Sequence, residues 1–260
     1  MGRHDRIAEL IDLAPTASGA PLEVADLATG YGRTARAMFA AARGPIRIHA
    51  VDAAANLDDD LLNDERVRSV MADLDQPLPF ADASLDRVCS VNVAEHLADP
   101  RAHVADCFRV LRPGGLLVLA HSDWDTTLFT SDDDELTRTL VDRFVATFPQ
   151  WAQRADGFMG RKLLRLADAA PFTVQTVETW ADCHRRFDVD SVAWKVARGV
   201  VVAAADDEDL AARAAAWFDS LRRHAAEERF LFTVTDVTVV LRRPADAESD
   251  RTGSARVTGR

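Results

Sequence analysis

Short apolar runs alternate along the first half of the chain with stretches whose apolar residues recur every three or four positions. The runs Glu23–Leu27, Arg47–Val51, Arg68–Met71, Asp86–Val91 and Leu116–His121 are short and bounded by turn residues, and are read as strands. Between them the clearest helical patterns are Thr34–Ala42 and His103–Leu111. The second stops at Arg112-Pro113-Gly114-Gly115, where a proline and two glycines cannot continue a helix. Such alternation predicts a parallel α/β sheet. Arg6–Leu13 adds a short helix ahead of the first strand, ended by Ala14-Pro15, and Asp58–Glu65 is acidic and reads as a solvated connection.

After His121 the rhythm changes. Thr126–Arg154 reads mostly as helix with Trp151 near its end, Arg161–Ala170 as another helix, and Phe172–Glu178 alternates like a strand. Asp190–Glu228 is alanine-rich and helical, with Leu210, Ala214, Trp217, Phe218 and Leu221 spaced by three and four. Phe230–Arg242 then runs as one long strand, and residues 246–260 are small and polar, the composition of a disordered tail. The pattern predicts one domain over residues 1–245. Five parallel-type strands lie within 23–122, a sixth and seventh follow, and helical segments at about 126–165 and 190–228 are inserted around the sixth. No internal repeat is visible.

Composition narrows the functions. The 260 residues are 48% hydrophobic and 28% charged, enough for a substantial core. No apolar run approaches the roughly 20 residues of a membrane helix, and the polar start Met1–Arg6 has no apolar stretch behind it of the kind a signal peptide needs. A cytoplasmic protein without a membrane partner is expected. The 31 basic and 42 acidic residues leave a formal charge of −11, which repels a nucleic-acid backbone unless a basic patch is concentrated somewhere. Arg161–Lys162 and Arg222–Arg223 are too short to make one. The expected partner is therefore a small molecule, and the chain a monomer or homodimer. Cys89, Cys107 and Cys183 lie far apart without C-x-x-C spacing and read as free thiols rather than metal ligands. No metal site is expected.

The stretch richest in chemistry is Glu23-Val-Ala-Asp-Leu-Ala-Thr-Gly-Tyr-Gly-Arg-Thr-Ala35. A strand ends near Leu27, a glycine loop follows, and a helix begins near Thr34. Glycines let the backbone approach a ligand closely, and the helix start offers unpaired N–H groups to a carboxylate or phosphate. Gly30-Tyr31-Gly32-Arg33-Thr34-Ala35 also satisfies the G-x-G-x-x-A pattern of nicotinamide sites, with Asp52 near the spacing of a ribose-binding acid. This motif alone leaves both cofactors open.

Its surroundings separate them. Asp26-Leu-Ala-Thr-Gly-Tyr-Gly32 resembles the first motif of class I S-adenosylmethionine-dependent methyltransferases, especially the quinone-biosynthesis (UbiE-like) branch. Val51-Asp52 ends the second strand, as that family's ribose-binding acid does. Ala72-Asp73-Leu74-Asp75-Gln76-Pro77-Leu78-Pro79-Phe80 resembles the segment whose acid receives the adenine amino group. Phe80–Val88 leads into the fourth strand and Asn92-Val-Ala-Glu-His-Leu97, and Arg109-Val-Leu-Arg-Pro-Gly-Gly-Leu-Leu-Val118 resembles the family's turn before its fifth strand.

The resemblance implies a Rossmann-like seven-stranded sheet, parallel but for an antiparallel last strand, with helical cover insertions. It implies S-adenosyl-L-methionine as cofactor and S-adenosyl-L-homocysteine as product. It assigns cofactor binding to Asp26, Ala28, Gly30, Tyr31, Gly32, Asp52, Asp73, Leu74 and Asn92. Asp52 would accept the ribose hydroxyls, Asp73 the adenine amine with Leu74 on the ring, and Asn92 would lie by the amino end of the methionine part. Gly30 and Gly32 would leave room for that part. Ala28 stands where the family more often has glycine, and Tyr31 either lines the donor pocket or is a surface residue.

In an open α/β sheet the ligand lies beyond the carboxyl ends of the strands. There His121-Ser122-Asp123-Trp124-Asp125 sets two carboxylates, an imidazole and an indole in five residues. His121, Asp123 and His96 are the candidate bases, since an acceptor that carries a proton must lose it before methyl transfer. The acidic pair and Trp124 also suit an amine or cation. Trp151, Phe158, Met159, Trp180, Trp194 and Trp217 are candidate walls beneath the helical cover, or core. The expected activity is methyl transfer to N, O or C of a small metabolite. Its rivals are an NAD-dependent oxidoreductase, a non-catalytic cofactor-binding protein of this fold, and a member recruited to cyclisation.

Overall fold

The computed structural model describes residues 2–147 and 156–245. Seven strands form one sheet in the order β3-β2-β1-β4-β5-β7-β6. They are β1 (Leu22–Leu27), β2 (Ile46–Asp52), β3 (Val67–Met71), β4 (Leu85–Val91), β5 (Leu111–Phe129), β6 (Thr173–His184) and β7 (Phe232–Arg242). The helices are α1 (Arg3–Leu10), α2 (Arg33–Ala41), α3 (Asp59–Leu62), α4 (Pro100–Val110), α5 (Asp134–Ala146), α6 (Met159–Leu166), α7 (Val192–Ala203) and α8 (Glu208–Ala226). β1 to β5 pair in parallel. Gly114 N bonds Arg243 O while Thr130 N bonds Leu231 O, so β7 runs against β5. The Rossmann-like order, with its antiparallel last strand, is the one expected.

Two compact units divide the chain. Among the described residues, the first comprises 2–120, 163–178 and 238–245, the second 121–147, 156–162 and 179–237. In the first, β1 and β2 are buried along nearly their whole length, as strands covered on both faces must be. Asp99 caps α4 by accepting from Arg101 N and Ala102 N, with Pro100 in the first turn where its missing N–H costs nothing. In the second, Phe129, Leu140, Val200, Trp217, Leu221 and Phe232 belong to one apolar core. Trp217 lies within it and donates to Thr137 Oγ1 at 2.9 Å, so it is core rather than pocket wall. Trp151 lies outside the described residues, as does the predicted tail.

Several segments differ from the sequence reading: α1 starts at Arg3 and ends at Leu10, β6 runs on to His184, and the stretch 190–228 is the two helices α7 and α8. β5 begins at Leu111 and runs to Phe129, so Thr126–Phe129 is strand and the helix after it starts only at Asp134. Leu85 pairs with Leu111 but Arg87 with Leu116, so Arg112–Gly115 is a bulge in the ladder rather than a turn before it. The acidic Asp58–Glu65 segment carries α3, with Leu61 buried and Asp58 and Asp60 both paired to Arg36.

Candidate active site

In the first unit, β3, β2, β1 and β4 lie side by side in parallel, and their carboxyl ends bring together the residues expected to hold a cofactor. Asp26 is level with Ala50 on one neighbour and Cys89 on the other. It is buried, and its carboxylate accepts the Thr29 hydroxyl at 2.7 Å. Burial pushes this carboxyl up to about 7; the Thr29 hydroxyl pulls it back, and the negative charge of Asp52 adds to the rise.

The loop after β1 is built from left-handed residues: Ala28 (φ 54°), Gly30 (φ 53°) and Gly32 (φ 83°). At Ala28 that conformation costs roughly 1–2 kcal/mol, which gives a physical reason for the glycine more usual there. Asn92, which follows β4, is also left-handed at φ 54°. Two strained non-glycine residues thus end adjacent strands, a pattern that clusters at functional sites. The two glycines differ in what they open. A side chain at Gly30 would meet nothing within 4 Å, whereas one at Gly32 would strike Leu61 at 2.1 Å and Leu57 at 2.9 Å. Gly30 leaves room, and the bareness of Gly32 admits Leu61 and Leu57.

Asp52 ends β2 half-buried, its Oδ2 accepting Gly30 N at 2.9 Å and its Oδ1 accepting Ala54 N at 3.1 Å. With one backbone donor on each, both oxygens keep acceptor capacity for a pair of hydroxyls. Asp73 is exposed beyond β3 and accepts Asp75 N at 3.0 Å. Leu74 is half-buried, its backbone hydrogen-bonded to the buried His103, whose pKa burial lowers. Tyr31 is 63% exposed, and its carbonyl accepts Arg36. Its side chain is on the surface of the loop. His96 sits in a short 3-10 turn after β4, its Nε2 3.3 Å from Glu95 Oε1, with 32% of its side chain exposed against 8% for the glutamate.

The other candidate bases have different surroundings in the second unit. β4 pairs with β5 only as far as Ala120, but β5 continues, so His121–Asp125 lies inside a strand and not at its mouth. His121 is fully buried, its Nδ1 2.8 Å from Ser122 O. Asp123 is buried and both its oxygens are engaged by Arg161. Oδ2 accepts the backbone N and Nε at 2.8 Å each, and Oδ1 accepts the guanidinium at 2.7 Å. The same guanidinium reaches Asp125 and, ahead of Arg138, holds that carboxyl below its ordinary value. Both oxygens of Asp123 are thus committed to Arg161.

Asp236 was missed. It is buried on β7, and its Oδ1 accepts the Ser122 hydroxyl at 2.7 Å. The signal was present: a carboxylate stands in the middle of the apolar run Phe-Thr-Val-Thr-Asp-Val-Thr-Val-Val, where a charge needs a buried partner.

The methyltransferase domain family matches residues 25–119, the stretch from β1 to the middle of β5. The chain is 39% identical over 104 residues to a 37.1 kDa protein of transposon Tn4556 from Streptomyces fradiae, covering 38% of this chain and 28% of that protein. It is 36% identical over 130 residues to an uncharacterized methyltransferase of Mycolicibacterium vanbaalenii, covering 46% and 48%. The chain thus spans less than half the length of either relative. Among solved structures, the YcgJ protein of Bacillus subtilis superposes with a TM-score of 0.57 at 16% identity, over 93% of this chain and 97% of that one. A geranyl diphosphate methyltransferase in complex with S-adenosylmethionine gives 0.51 at 15% identity, over 92% and 85%. At these identities the two structures speak to the fold alone.

Proposed function

We propose that the chain is a class I S-adenosylmethionine-dependent methyltransferase and that it transfers a methyl group to N, O or C of a small metabolite, a reading supported by the methyltransferase domain match over residues 25–119. The observation that carries the cofactor reading is Asp52: a carboxylate fixed by Gly30 N and Ala54 N, beside a glycine with open space in place of a side chain. That arrangement fits a ribose diol at the end of β2. Asp73 and Leu74 would take the adenine, and Asn92 the methionine end. S-adenosylmethionine supplies a methyl group on a sulfonium, whose departure as a thioether needs no acid. The chain's own part is to align the acceptor and hold its proton.

For that proton we propose His96 rather than His121 or Asp123. His96 is partly exposed and lies on the same unit as the cofactor residues, with Glu95 Oε1 3.3 Å from its Nε2. His121 is wholly buried and Asp123 is committed to Arg161. A net charge of −11 favours a small molecule over a nucleic acid.

The test is ligand-induced stabilisation. S-adenosylhomocysteine at a hundred times its Kd should add about 2.7 kcal/mol, with no shift from NAD. A shift from NAD alone would replace the methyltransferase reading by the oxidoreductase one. Once an acceptor is found, His96→Ala should lower turnover about 10²–10⁴-fold with cofactor affinity intact. Full turnover would remove His96 from the mechanism.

A further inference from the structure

Among the described residues, the connection from β3 to β4, residues 72–84, is the only one between β1 and β5 that carries no α-helix. Connections of that length without regular structure are uncommon in compact domains, and binding loops are among the exceptions. Asp73 and Leu74 stand near its start, and Pro77 and Pro79, which have no N–H to donate, flank Leu78. Leu78 is buried, so both its backbone polar groups need partners. Its N–H donates to Asp106 Oδ2 at 2.6 Å, and its carbonyl accepts Arg109 at 3.0 Å. Both partners belong to α4. Arg109 also donates to Phe80 O at 2.8 Å, to Asp82 Oδ1 at 2.9 Å and, through Nε, to Asp106 Oδ1 at 2.6 Å.

His103, Asp106 and Arg109 recur every three residues and so share one side of α4. His103 is hydrogen-bonded to the backbone of Leu74. Ahead of Leu78, Asp75 Oδ1 accepts Ala98 N at 2.7 Å, Asp73 Oδ1 accepts Asp75 N at 3.0 Å, and Asp73 O accepts Gln76 N at 3.1 Å. On the strand side Ala72 N donates to Asp52 O at 3.0 Å. Asp73 therefore sits in a tight turn between the end of β2 and a segment gripped by α4. Its side chain is exposed, so its place is set by the backbone on either side rather than by packing.

A carboxylate accepts from an amino group and repels a carbonyl oxygen, but it separates the two only when it is held in place. We infer that Asp106, paired with Arg109, is a positioning residue for base recognition: by fixing Leu78 it holds the 72–84 loop so that Asp73 distinguishes an amino group on the ligand's base from a carbonyl oxygen. The inference rests on the S-adenosylmethionine reading, which places Asp73 at the base. Charge-assisted hydrogen bonds suit the task, being shorter and stronger than neutral ones. Asp106 acts through the loop and through Asp73, without contact with the ligand, so that α4 takes part in choosing it.

Calorimetry on the full chain with two ligands tests this. S-adenosylhomocysteine carries the amino group on its base; S-inosylhomocysteine has a carbonyl oxygen in its place. Wild type should favour the first. Asp106→Ala should weaken S-adenosylhomocysteine about tenfold, the lower end for a charged hydrogen bond, and leave S-inosylhomocysteine within about twofold, so that the preference contracts. Asp106→Asn keeps an oxygen for Leu78 N but loses the ion pair, and its preference should fall between the two. Should the alanine variant fail to fold, the asparagine variant decides on the same ratio. Equal weakening of both ligands would make Asp106 a support of the fold alone and overturn the positioning role, and so would an unchanged preference. A wild type that binds both ligands equally would overturn it as well, because Asp73 would then not read the base. If wild type binds neither, the cofactor reading fails and the role falls with it.

Discussion

Replacing Asp26 by Asn isolates the one carboxyl beneath the glycine loop that titrates near neutrality. In the native protein burial raises it from an ordinary 3.8 to about 7, against the opposing pull of the Thr29 hydroxyl. The folded state thus binds a proton that the unfolded chain releases near 3.8. Stability from this group is complete below that value and is lost as pH rises through about 7. Each pH unit inside the window is worth about 1.4 kcal/mol, and Asp26 is only 1% exposed, so solvent screening removes little. Between pH 5 and 8 the wild type should lose about 3 kcal/mol through Asp26 alone. Asn keeps an oxygen for the Thr29 hydroxyl and cannot ionise, so the variant lacks this loss. Urea unfolding of both proteins at half-unit steps from pH 5 to 8 gives the difference, in which all other titrations cancel. The variant should gain on the wild type steadily up to about pH 7 and then level off. A flat difference, or a wild type that gains with pH, would mean that Thr29 and the Ala35 N–H outweigh burial and that Asp26 is a stabilised carboxylate.

Asp52→Ala should weaken S-adenosylmethionine by about 1.5–3 kcal/mol, the range for hydrogen bonds to a charged group; calorimetry showing unchanged affinity with an intact circular dichroism spectrum would refute the assignment. Asp73→Ala should cost more affinity for S-adenosylmethionine than for its analogue lacking the adenine amine, and equal losses would mean that Asp73 does not touch that amine. Gly32→Ala should destabilise by about 2–4 kcal/mol, from overpacking against Leu61 and a left-handed alanine; a melting temperature within a degree of wild type would show that α3 yields freely. Arg161→Ala should destabilise the second unit by about 1.5–3 kcal/mol by stripping donors from buried Asp123, and an unchanged unfolding midpoint would show that water replaces them.

Much of the first unit was legible because its signals are local. The strands β1 to β4 are short apolar runs closed by glycine, proline or a charge, and the observed bounds lie within a residue or so of the expected ones. Parallel strands with helical connections put their carboxyl ends on one edge, so Asp26, Asp52, Asp73 and Asn92, which the family resemblance singled out, fall along that edge. The second unit was less legible because its elements depend on partners distant in sequence. Thr126–Phe129 has no strong period of its own and is strand because β7 lies alongside it, with Thr235 N bonded to the Thr126 hydroxyl. Asp123 reads as a candidate base until Arg161, thirty-eight residues on, is found holding both oxygens.

The same division runs through the site itself. The residues by themselves determined the glycine loop and the acid at the end of β2, because each follows from its neighbours in sequence, whereas the order of the strands is a tertiary property. Only tertiary structure decided that Gly30 opens to space while Gly32 abuts Leu61, since the two glycines look alike until the helix they face is known. Tertiary structure likewise decided that His121 is enclosed while His96 keeps a third of its surface, and that Asp236 meets Ser122 across two strands. Burial and pairing of a titratable side chain are properties of what packs against it, and for these residues the packing partners lie far away along the chain.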